Sequence, residues 1–140
     1  MGEKPTGAMV LSVIGGVFIM LVGLLFIAIA SLVASFAGMI PNLPTDPVAA
    51  ANQIYLLGAI GVLHGIAIIA LGVVMYMKPQ MARVLGVIVL VLAIVSFFDT
   101  LGGFFIGFIL ALIGGILGIV FKPQQPMMMA PPPMAPPQMP

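Results

Sequence analysis

His64 is the one titratable side chain that falls deep within an apolar run of this sequence. Imidazole changes charge near neutrality, so at that place it could relay protons or ligate a metal. Ionisable groups inside a membrane are costly and tend to mark functional sites. The plainer reading, and the favoured one, is a neutral His bonded across to a neighbouring helix. One His cannot complete a metal site alone, although several copies of the chain could bring theirs together. Cysteine is absent, which excludes disulfides, thiolate metal sites and cysteine catalysis.

The other polar groups point to less chemistry. Ser12 is expected near one membrane surface and Ser96 near the other, so neither reaches His64. Asp99 could bind a cation, but a helix cap accounts for it fully. Asn42, Thr45, Asp46, Asn52, Gln53 and Tyr55 cluster around one loop, where a partner or water alone could meet them. Met127, Met128, Met129, Met134 and Met139 have thioethers suited to Cu(I), and a Pro-rich segment can dock in an aromatic groove. An unstructured tail is the favoured reading of that segment. Intramembrane catalysis needs a nucleophile with a base, paired carboxylates or a metal cluster. None is found, so the chain is expected to be no enzyme and to carry no cofactor or metal.

The elements that hold these residues are set by composition. Of 140 residues, 63% are hydrophobic and 5% charged. A soluble domain has roughly a quarter of its residues charged. So few charges cannot coat a water-facing surface. A helix needs about 20 apolar residues to cross the hydrocarbon, and the chain supplies several such runs. The net charge of +1 comes with no basic cluster that could track phosphates, so no nucleic-acid partner is expected. The expected partners are the lipid bilayer and either further copies of the chain or another membrane protein.

The fold expected is an all-α membrane protein, a four-transmembrane-helix bundle over residues 1–122. A disordered Pro/Met/Gln-rich tail follows over 123–140. The helices are placed at about 8–30 (or to 39), 54–77, 81–98 and 100–121. Prolines at 41, 44 and 47 mark an exposed loop after the first, since proline cannot continue a helix. The runs are continuous rather than alternating, which favours helices over barrel strands. With four crossings, Lys4, Lys78, Arg83 and Lys122 all fall on one side. Basic residues mark the cytoplasmic side, so a multi-pass protein of the cell membrane with both termini inside is expected. The gapless match of 82–96 to 8–22 also allows an internal duplication.

Small residues form a pattern of their own. Gly103, Gly107, Ala111 and Gly115 recur every four residues, and Gly114 pairs with Gly118. Gly61 and Gly65 flank His64, Ser12 pairs with Gly16, and Ala82 with Gly86. Such spacing lets helix backbones approach closely. Most are expected to pack within the bundle, with at least one face left for an oligomer.

The opening Glu3-Lys4-Pro5-Thr6-Gly7-Ala8 runs into Val10-Leu11-Ser12-Val13-Ile14-Gly15-Gly16. The close is Leu112-Ile113-Gly114-Gly115-Ile116-Leu117-Gly118, then Lys122-Pro123 and the Pro-rich tail. Together these resemble small four-helix integral membrane proteins of archaea and some bacteria that have no characterised function. The resemblance implies membrane location and carries over no functional residue. Outer-loop cysteines of the tetraspan type are missing. Two roles are open. A structural or interaction protein needs no reactive group and is favoured. An oligomeric channel or transporter is the alternative, with His64 as its gate, although no helix carries the intramembrane carboxylate of small multidrug transporters.

Overall fold

A computed structural model describes residues 4–37, 39, 46–99 and 105–122. It is all-helical, with four α-helices and no strand among the described residues. α1 is Thr6–Phe36, α2 Pro47–Met77, α3 Ala82–Asp99 and α4 Phe105–Val120, and a 3-10 turn, Pro79–Met81, joins α2 to α3. Three helices are long and apolar enough to cross a membrane: α1, α2 and the unit of turn and α3 from Pro79 to Phe98. α4 is a shorter apolar helix of 16 residues.

The starts and stops follow from local chemistry. Before α2, the Asp46 side chain accepts a hydrogen bond from Val48 N at 2.9 Å, and Pro47 fills the first helical position. That position has no helical partner for an N–H, so proline is suited to it. At the other end Lys78 N still donates to Val74 O at 2.8 Å, and Pro79 then breaks the ladder. Ser31 and Ser35 return their hydroxyls to the Ile27 and Ser31 carbonyls at 3.0 and 2.8 Å. This back-bonding lets α1 carry serines through an apolar helix.

The helices neighbour one another in a ring. α1 packs along α2 and α4, and α3 packs along α4 and α2, while the diagonal pairs scarcely meet. Gly16 lies against Gly65 and Gly23 against Gly58, so α1 and α2 are antiparallel. Gly7 lies against Leu117 and Gly15 against Ala111, which makes α4 antiparallel to α1. Gly86 meets Gly115 and Gly118, with Gly115 against Leu90, so α3 is antiparallel to α4. The bundle therefore runs up, down, up, down.

The two hairpins differ in length. α1 and α2 have 31 residues each, about 46 Å at 1.5 Å per residue. α3 has 18 and α4 has 16, about 27 and 24 Å. Gly107, near the start of α4, already lies against Gly15 and Phe18 halfway along α1. The far half of the α1–α2 hairpin thus reaches past the described part of α3 and α4.

Several boundaries differ from those expected. α1 ends at Phe36, between the two ends considered for it. α2 starts at Pro47, seven residues before the expected 54. A capped helix start, rather than loop, holds Asn52 and Gln53. The described α4 begins at Phe105 rather than 100. Residues 100–104, the loop residues 41–45 and the tail 123–140 lie outside the described residues, as do Gly103 and the Asp99 side chain.

Large apolar side chains cover the outside. Leu56 is 60% exposed, Leu63 67% and Val84 58%. A soluble protein does not present apolar surface this continuous, whereas lipid tails solvate it. The interior is made of small groups, with Ala82, Ala93, Ala111 and Ser12 fully buried beside Ile68, Met75 and Val89.

Candidate functional site

The closest contacts in the molecule are backbone against backbone. On the α1–α2 seam a Cβ added to Gly23 would stand 2.6 Å from Val62 N, and one on Gly65 2.7 Å from Gly16 O. Real Cβ contacts are never that short, so only glycine fits. On the α1–α4 seam a Cβ at Gly15 would lie 2.6 Å from Ala111 N. On the α3–α4 seam one at Gly86 would lie 2.7 Å from Gly115 O. Gly107 faces Phe18, Gly114 faces Ser12, and Gly118 faces Met75 and Gly86. Gly61 is buried, with its carbonyl carbon 3.0 Å from the Cβ position of Gly23. All these residues turn toward neighbours within one chain.

Four seam glycines escape a search for four-residue spacing: Gly15, Gly23, Gly58 and Gly72. Seven-residue spacing finds three of them, in Gly16–Gly23 on α1 and Gly58–Gly65–Gly72 on α2. A seven-residue repeat keeps one stripe of a helix against its partner over many turns.

The polar groups inside the bundle come from three helices, with Ser12 on α1, His64 on α2 and Ser96 on α3. Ser12 is fully buried where α1 meets Gly72 of α2 and Gly114 of α4. Its Oγ has no hydrogen-bond partner among the described residues. His64 is half-buried on α2, next to Gly65 on the α1 seam. Gly72, the α2 residue at Ser12, lies eight positions further along α2, about 12 Å away. Ser96 is buried on α3. No group of three His, Asp or Glu among the described residues could hold a metal ion.

The ends of the bundle differ in charge. Lys4 Nζ sits 4.7 Å from the centre of the Tyr76 ring, which fixes the start of α1 beside the end of α2 through a cation–π contact. Lys78 ends α2, Arg83 opens α3 and Lys122 follows α4, so all four cations lie at this one end, and all are exposed. The far end holds Asp46, Asn52, Gln53 and Tyr55, also exposed. At the step where α4 begins, α1 lines an apolar cavity of about 210 Å³ with Phe18, Leu21, Val22 and Leu25.

Among protein families, the model described as a family of unknown function, DUF6114, matches residues 26–122. The match takes in the last turns of α1 and all of α2, α3 and α4. No curated protein and no solved structure matches the chain.

Proposed function

The chain belongs to DUF6114, a family of unknown function, and from that premise we propose that it is a structural or interaction protein of the membrane. In this reading all four helices cross the bilayer and the basic end faces the cytoplasm. The chain packs with itself or with another membrane protein and holds its termini on the inner side.

One observation supports this most. The small residues that could have lined a passage or a reactive pocket are consumed in seams within the chain, at Gly15, Gly23, Gly65 and Gly86. Close seams of this kind make a rigid unit held by dispersion and weak backbone contacts. What remains for partners is the apolar outer surface and the two ends.

The test is to purify the full chain, determine its oligomeric state in nanodiscs, and measure ion flux in liposomes for wild type and His64→Ala. The expected result is a low-order assembly without flux and indifferent to His64. A ring of several copies that conducts, with conduction altered by His64→Ala, would replace this reading with that of a channel gated at His64.

A further inference from the structure

The basic end offers more than a mark of orientation. Its four cations come one from each helix terminus: Lys4 before α1, Lys78 after α2, Arg83 in the first turn of α3 and Lys122 after α4. Gly86 lies against Gly118, so Arg83 is level with the end of α4, where Lys122 follows. Arg83 and Lys78 are also joined by one short turn, Pro79–Met81. Three cations therefore stand at the α2, α3 and α4 termini of this end, and the fourth lies over Tyr76 near the end of α2.

The carboxylates are elsewhere. Asp46 caps α2 at the far end, and Asp99 is the last residue of α3, at the end of that helix away from Arg83. The sequence has one more, Glu3, next to Lys4 in the chain and outside the described residues. Exposed apolar side chains flank this end: Met77 at 71%, Met81 at 48%, Val84 at 58% and Val120 at 66%. Cations set directly against a lipid-facing apolar surface lie at the depth of phospholipid phosphates. A guanidinium and two ammonium groups at one end of the bundle suit phosphate oxygens, with Arg as a fork and Lys as point charges.

We propose that the α2–α3–α4 end, through Lys78, Arg83 and Lys122, binds the headgroups of anionic phospholipids in preference to zwitterionic ones. The inference rests on the membrane placement of the helices but not on which side the basic end faces. Glycine seams hold the three helix ends in fixed register, so the cations are presented together, not on independent segments.

The experiment reconstitutes the full chain in phosphatidylcholine bilayers with trace spin-labelled phosphatidylglycerol or phosphatidylcholine. The motionally restricted fraction of each label is then compared. The expected preference for phosphatidylglycerol is roughly two- to fivefold at low salt, falling toward unity near about 0.5 M salt. The triple variant Lys78→Gln/Arg83→Gln/Lys122→Gln loses most of the preference while restricting phosphatidylcholine as wild type does, which shows that it is folded. Equal restriction of both labels by wild type overturns the proposal, as does an undiminished preference in the triple variant. Loss of the preference when inorganic phosphate replaces chloride at equal ionic strength assigns the cations to a soluble anion and also overturns it. If neither label is restricted, the membrane placement itself fails, an outcome distinct from the others.

Discussion

At the α1–α2 seam the margin between fit and clash is one methyl group. Gly23→Ala would bring its Cβ to 2.6 Å from Val62 N and 2.7 Å from Gly58 O. Both are backbone atoms of a helix, so neither can swing aside as a side-chain tip does. The helices must separate, and dispersion contacts along the seam are lost together. We expect Gly23→Ala to lower stability by about 1–3 kcal/mol, read as an earlier unfolding midpoint in a denaturant titration of the purified protein. Gly7→Ala is the control, since its Cβ would meet only Leu117 Cδ1 at 3.7 Å. Equal midpoints for the two variants would mean that the seam is looser than its geometry states. Ser12 shows the same economy of space. Its hydroxyl fills the gap over Gly114 and remains without a hydrogen bond among the described residues.

At the scale of elements, what could be read from sequence depended on how hydrophobicity is distributed. α3 is legible almost to the residue because Pro79 and Asp99 bracket an apolar run whose only charge, Arg83, lies in its first turn. The start of α2 is not, because its first turns, Pro47-Val48-Ala49-Ala50-Ala51-Asn52-Gln53, have too little hydropathy to count as a span. A helix start is instead written there as a cap: Asp46, then proline at the first position. Reading Pro47 as a breaker missed that proline suits this place. Asp46→Ala is expected to cost about 1 kcal/mol of helix stability and to speed hydrogen exchange at the Val48 amide, which loses its 2.9 Å acceptor. Unchanged exchange at Val48 would show that the turn is held by something other than the cap. The seams were half legible for a similar reason. Four-residue spacing identifies glycines such as Gly107 and Gly115, but a ring of antiparallel helices also uses a seven-residue stripe. Gly23 and Gly58 lie on that stripe.

Over the whole molecule, two hairpins of different length share one basic end. Along α1 and α2 the apolar surface exceeds about 30 Å of hydrocarbon, so tilt or projection at the far end must absorb the excess. α4, at 16 described residues, falls short of that thickness and is the helix whose crossing most needs proof. The chain supplies a clean route, because it has no cysteine and any thiol introduced is the only one. Single variants Asp46→Cys, Lys78→Cys and Lys122→Cys place a label at the far end, after α2 and after α4. In intact cells a membrane-impermeant maleimide is expected to label Asp46→Cys, and to label Lys78→Cys and Lys122→Cys only after permeabilisation. Lys78 and Lys122 are separated by both short helices, so they fall on opposite sides if only one of α3 and α4 crosses. Labelling of Lys122→Cys on the side of Asp46→Cys would mean that α4 does not span. Reversal of all three would keep four crossings and invert the charge rule. The packing argument favours a full crossing. α4 is locked against α1 at Gly15 and against α3 at Gly86, and a helix lying flat on the membrane surface could not keep both contacts while α1 and α3 stand upright.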